Sequence, residues 1–223
     1  MPRRRAVICV LLSGGLDSAF LLRHSLQRHG RVFPLYVRCG LRWEASELYW
    51  LQRLLRAIPH DRLASLRVID APLRSTYGAH WSLTGRRLPG ARSADHAVYL
   101  PGRNVLLLTH AAIVGARDGV HTFALGLLQG NPFGDASSTC LAHLARCLSL
   151  ALGRPIRILT PLAHLDKAEL IRRAAAQLPL QLTWSCLRPG PQRHCGRCNK
   201  CAERRQAFRN AGIPDPTSYR HCC

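Results

Sequence analysis

The sequence predicts an α/β protein built on a doubly wound, mostly parallel sheet, followed by a small helical segment that binds metal. Three observations predict this. A strand-like apolar run, Ala6 to Leu12, stops at Ser13-Gly14-Gly15 and gives way to a helical period. Strand-length and helix-length patterns then alternate along most of the chain, the plan of a parallel sheet with crossover helices. Four cysteines cluster toward the C-terminal end. With 223 residues and 47% hydrophobic content the chain supports one sizeable core plus an appendage, which we place at 1–180 and 181–223.

After the Ser-Gly-Gly turn, Leu16, Ala19, Phe20, Leu22 and Leu26 recur at helical spacing until Gly30, a residue suited to a helix end. Val32 to Val37 reads as the second strand. A helix from Trp43 to Ile58 is closed by Pro59, and Leu66 to Ile69 is the third strand. Residues 72–97 interrupt the alternation with Pro72, Gly78, Gly85, Pro89 and Gly90, and a loop of that length is usually functional or mobile. Beyond Leu100-Pro101-Gly102-Arg103-Asn104 comes an apolar helix from Val105 to about Arg117, a strand over Val120 to Leu125, a helix over 136–152 and a last strand from Ile156 to Leu159. Asp166, with Glu169 three residues on, marks one more helix start. The tail from Pro214 to Cys223 reads as a flexible or docked end.

The formal charge is +20, yet all but two of the 32 basic residues are Arg, the exceptions being Lys167 and Lys200. They are spread along the chain with few interleaved aromatics, so nucleic acid is not the expected partner, although an acidic protein would suit the excess. Met1-Pro2-Arg3-Arg4-Arg5 and a seven-residue apolar run are too short for a secretory leader, and no stretch has membrane-spanning length, which reads as a cytoplasmic chain.

Chemistry concentrates in two places. At Ser13-Gly14-Gly15-Leu16-Asp17-Ser18, a strand–turn–helix junction offers backbone N–H groups and two hydroxyls to a phosphate, with Asp17 suited to Mg²⁺. In Cys186-x8-Cys195-Gly-Arg-Cys198-Asn-Lys-Cys201, successive two-residue gaps let one turn present two thiolates to a single ion, and four thiolates suit tetrahedral Zn²⁺. Such a site is structural, because four protein ligands leave no open position; His194, His221, Cys222 or Cys223 could replace one of them. Cys39, Cys140 and Cys147 read as buried small apolar residues rather than nucleophiles.

The hexapeptide after a first strand resembles the pyrophosphate-binding loop of the PP-loop ATP pyrophosphatases, with no Gly-Lys-Ser/Thr to make it a Walker loop. That resemblance implies ATP bound along Val10, Leu11, Leu12, Ser13, Gly14, Gly15, Leu16, Asp17, Ser18, Ala19 and Phe20, and it favours zinc over an iron–sulfur cluster at Cys186, Cys195, Cys198 and Cys201. Gly40-Leu41-Arg42-Trp43-Glu44, LPGRN at 100–104, TPLAHLDKAEL at 160–170 and TWSC…CGRCNKCAERR at 183–205 follow in the order and spacing seen in 7-cyano-7-deazaguanine synthases, and the chain resembles that family over most of residues 6–208. The resemblance implies a ligase that spends ATP to activate 7-carboxy-7-deazaguanine, takes ammonia, and dehydrates the amide to a nitrile. Asp17 would hold Mg²⁺ while Arg103 and Lys167 stabilise the departing pyrophosphate; relatives of this kind are often homodimers.

One segment departs from the pattern. The family carries an acidic, aromatic, cysteine-containing run after the fourth strand, with carboxylates suited to a purine-like edge. Here Gly126-Leu127-Leu128-Gln129-Gly130-Asn131-Pro132-Phe133-Gly134-Asp135 replaces it, and Trp43 stands where a histidine is usual. This leaves open a paralogue that adenylates another acid, such as a small-protein C-terminus, beside a tRNA-thiolating enzyme and a non-catalytic nucleotide-binding module.

Overall fold

The computed structural model describes residues 6–188 and 192–221, so Met1–Arg5, Cys222 and Cys223 lie outside the described residues. Five strands, β1 (Val7–Leu11), β2 (Arg31–Arg38), β3 (Arg67–Asp70), β4 (Thr122–Ala124) and β5 (Arg157–Leu159), form one sheet in the order β3-β2-β1-β4-β5. Every pairing is parallel. Helices α1 (Leu16–Arg28), α2 (Glu44–Ala57), α7 (Lys167–Ala175) and α8 (Asn199–Ala211) cover one face, while α5 (Arg103–Arg117) and α6 (Ser138–Leu152) cover the other.

The strand period of two explains this layering. Ile8 and Val10 of β1 enter the core beneath α1, and Cys9 and Leu11 enter the core beneath α5. The C-terminal segment shares both cores: Ala207, Phe208 and Ala211 of α8 pack with α1 and α7, while Trp184 and the four clustered cysteines join the opposite layer. Arg204, 2% exposed, ties this segment together by donating to the Leu180 carbonyl and to the hydroxyls of Thr183, Ser185 and Thr217. Through His221 the tail is docked, with the His194 N–H bonded to the Ser218 carbonyl at 3.0 Å.

Residues 72–97 are not a structureless loop. They contain the one-turn helices α3 (Arg74–Tyr77) and α4 (Trp81–Thr84) and lead into a 3₁₀ turn at Asp95–Val98. Their amphipathic stretches are too short to register as helices by period, and they are held from outside: Ser82 carbonyl accepts from Arg42 N–H, and the Asn199 amide and backbone N–H reach Ser93 and Pro89 carbonyls. Among the described residues no helix is long and apolar enough to cross a membrane.

The order of strands reverses between β1 and β4, and the loops after these two strands meet there, at the crevice where doubly wound sheets bind ligands. Helix α5 reaches this point by lying close on β4: a Cβ at Gly115 would come 2.6 Å from Phe123, which is fully buried. Gly115→Ala should therefore lower stability by about 1–3 kcal/mol in a urea titration, because the ring has no free space to enter; an unchanged midpoint would show that α5 can lift off β4.

Candidate active site

The turn after β1 is shaped by close approach. Gly14 has φ +76°, and a Cβ there would sit 3.3 Å from the Glu47 carbonyl and from Leu51 of α2. Ser13 N–H donates to Ser18 Oγ at 3.3 Å, Ser18 Oγ donates to the Gly15 carbonyl at 3.1 Å, and Gly15 N–H donates to Ser13 Oγ at 3.3 Å. Gly15 caps α1 without a side-chain bond, so the first-turn N–H groups keep their capacity for an anion. From the other side Gly126 presses in, its missing Cβ only 3.0 Å from the Asp17 carbonyl carbon.

Three connected hollows of about 240, 220 and 260 Å³ surround this turn, and Asp17 borders all of them. The first lies over the strand ends, with an apolar wall of Leu11, Leu35, Val37, Leu107 and Leu125. The second has aromatic walls, Trp43, Trp81 and Trp184, with Trp43 and Trp81 stacked at 5.7 Å. The third is roofed by the 126–133 loop, whose Phe133 stacks on Tyr99 at 4.5 Å.

Charge converges on the same place. Lys167 Nζ donates to both oxygens of Asp17 at 2.7 Å and lies 3.8 Å from Glu203, which also accepts from Lys200 at 2.5 Å. Burial pulls the Lys167 ammonium toward lower pKa, but Asp17 and Glu203 outweigh it and the net shift is upward. Arg103, at the start of α5, borders the first two hollows, and its Nε is buried without a hydrogen-bond partner. Glu47 faces it, accepting from Tyr36 Oη at 2.7 Å and from the Trp43 indole; burial pushes its carboxyl up to about 7 despite Arg103. Glu44 is committed to the Cys39 and Gly40 N–H groups at 2.5 and 3.0 Å.

The four cysteines Cys186, Cys195, Cys198 and Cys201 are buried, with all four Sγ atoms within 4.8 Å of one another. Cys195–Cys201, Cys186–Cys198 and Cys198–Cys201 lie 3.9, 4.0 and 3.4 Å apart, close to the roughly 3.8 Å expected of thiolates on a tetrahedral zinc. N–H groups of Arg188, Cys195 and Arg197 point at sulfurs at 3.3 Å, the support that thiolate ligands need. The residues fit zinc. Gly196 makes the knuckle, with φ +77° and the His221 carbonyl 2.2 Å from where a Cβ would be. His194 is not a ligand here: its Nε2 accepts from Ser185 N–H at 3.0 Å, and burial holds its pKa down to about 3.

The family model of queuosine biosynthesis protein QueC matches residues 6–212. The chain belongs to the QueC family. It is 35% identical to the 7-cyano-7-deazaguanine synthase of Anaeromyxobacter sp. (strain Fw109-5), over 98% of this chain and 97% of that one. To the enzyme of the same name from Methanothrix thermoacetophila it is 30% identical, over 95% and 97%. A solved structure described as a predicted subunit of tRNA methyltransferase from Methanocaldococcus jannaschii shares the fold alone, with a TM-score of 0.50 at 16% identity over 76% of this chain and 74% of that one. This is therefore an enzyme of the QueC family on a PP-loop α/β fold.

Asp17, Arg103 and Lys167 line the second hollow together, with Asp17 held by Lys167 rather than standing free. Of the Val10–Phe20 stretch, Val10, Ala19 and Phe20 point into the core; Leu11, Leu12, Ser13, Gly15, Leu16, Asp17 and Ser18 border the hollows. Asp135, the acid surviving in the divergent segment, spends both oxygens on Asn104 at the start of α5. Cys39 is buried, with its thiol pushed up to about 11, whereas Cys140 is half-buried and Cys147 exposed: α6 turns Cys147 outward, so the reading of all three as buried fails there. The pattern reading missed Glu47, Tyr36, Trp81, Lys200 and Glu203. For the last two a signal existed, since Lys200 and Glu203 are three apart on a helix begun at Cys198 and must share a face.

Two outcomes follow from this geometry. Glu47 titrates near 7 when folded against about 4.5 unfolded, so folding favours its neutral form and stability should fall as pH rises from 4.5 through 7. Melting scans of wild type and Glu47→Gln should diverge across that window, the variant losing the decline; parallel curves would contradict a buried, neutral-preferring Glu47. Metal analysis should find about one zinc per chain, and Cys198→Ser should lose it together with a cooperative part of the melting transition, since metal binding at such a site is folding free energy.

Proposed function

We propose that the chain is an ATP-dependent ligase that converts 7-carboxy-7-deazaguanine and ammonia into 7-cyano-7-deazaguanine, a step toward queuosine. The observation that carries this reading is the uncapped start of α1 at the sheet's switch point, with Asp17, Lys167 and Arg103 gathered on it. Family membership and relatives named for this product support the choice of acid.

In this reading the adenine lies in the apolar hollow over the strand ends, and the phosphates reach the Ser13–Ser18 turn. Attack of the acid's carboxylate on the α-phosphorus transfers the adenylyl group and releases pyrophosphate; ammonia then displaces AMP to give the amide, and a second ATP adenylates the amide oxygen, which leaves with AMP as the nitrile forms. Negative charge grows on the leaving pyrophosphate, and the first-turn N–H groups, Lys167 and Arg103 stabilise it. Mg²⁺ bound at Asp17 would supply further charge, which requires Lys167 to exchange its carboxylate partner for a phosphate. Zinc at the four cysteines would hold Trp184 and α8 against the turn, where Trp184 N–H bonds the Gly14 carbonyl at 2.8 Å. A thiolating reading finds no support at Cys39, which is buried and kept protonated.

Purified protein given 7-carboxy-7-deazaguanine, ammonium, Mg²⁺ and ATP should release AMP and form the nitrile. Asp17→Asn should lower that rate by about a hundredfold or more while leaving the melting temperature close to wild type. No turnover with this acid, but pyrophosphate exchange with another, would replace the substrate assignment.

A further inference from the structure

Resting on the ligase reading above, we infer that Glu203 and Lys200, two residues of the zinc segment, bind the guanine-type edge of the acid substrate. A 7-deazaguanine presents two adjacent N–H donors, at the ring N1 and the 2-amino group, followed by a carbonyl acceptor. Its complement is a carboxylate flanked by a donor, and water-excluded sites that read such edges use paired, charge-assisted hydrogen bonds.

Among the described residues, three acids border the hollows: Asp17, Glu47 and Glu203. Asp17 has both oxygens on Lys167 and faces the phosphates. Glu47 is buried against Tyr36 and the Trp43 indole. Asp135, in the segment where the family's carboxylates lie, is consumed in holding Asn104. Glu203 remains, bordering both hollows beside the turn and 36% exposed in its side chain, with partners only in Lys200 and Lys167. These contacts are half-buried, so a ligand entering the hollow replaces the remaining water and shares their charges.

Composition supports the same pair. In a chain whose other basic residues are all Arg, its two lysines, Lys167 and Lys200, both border this cleft and both lie beside Glu203. A compact ammonium next to a carboxylate can donate to a carbonyl while the carboxylate accepts from the neighbouring N–H groups; a planar guanidinium would instead pair with the carboxylate fork to fork and occupy both of its oxygens. Phe133, across the third hollow from this pair, offers an aromatic wall for the ring. The zinc knuckle thus carries substrate recognition as well as structure, taking over what the rewritten 126–135 loop no longer supplies.

The test compares 7-carboxy-7-deazaguanine with its analogue lacking the 2-amino group, in wild type, Glu203→Gln and Glu203→Ala. Wild type should prefer the acid that bears the 2-amino group by about tenfold or more in kcat/KM, because removing one partner of a charged hydrogen bond leaves the other unpaired. In both variants that preference should collapse toward one, with the zinc content unchanged. AMP release with the preference intact in Glu203→Ala would overturn this assignment alone. No release by wild type with the deazaguanine acid would overturn the ligase reading, and this assignment with it.

Discussion

Everything at this site depends on how closely backbone can approach the start of α1. Gly14 lets the turn lie against α2, and Gly126 lets the strand end of β4 lie against the first turn of α1. A methyl group at either position meets backbone or a packed leucine, so the convergence of three chain segments is available only to glycine. With the loops drawn together, the unsatisfied N–H groups of α1, which no side chain caps, become the floor of a cleft rather than a solvated helix end.

A fourth segment is brought to the same point by different means. Between Thr183 and α8 the described residues form no strand or helix, and their place is set by four thiols, by Arg204 and by the bond from Trp184 to Gly14. The cysteine cluster also steadies residues 86–97, because Gly90 pairs with Cys198 and Asn199 reaches Ser93. A cysteine knuckle at the rim of the cleft therefore arranges two walls of it at once.

The electrostatics follow from burial. Lys167, placed between Asp17 and Glu203, stays charged although it is largely buried. Glu47, sunk deeper, moves the other way and prefers its proton, and Arg103 keeps a buried nitrogen without a partner. A cleft that stores an unpaired donor and a paired ammonium beside an open helix start is organised for an anion that brings its own acceptors.

The sequence by itself determined the layers and the local geometry at two motifs. Alternation along Ile8 to Leu11, the glycine pair after it and the C-x-x-C spacing are local facts, and local geometry follows from them. Arg103 and Lys167 were legible only through the family motifs around them, because a single cation in a sequence carries no position. Whether Glu47 is a surface acid or a buried one, whether the 72–97 stretch folds, and that Lys200 and Glu203 stand opposite Asp17 were decided by tertiary structure alone. Those properties arise between residues far apart in the chain, 150 apart for Lys167 and Asp17, and only packing brings such pairs within reach of each other's charge.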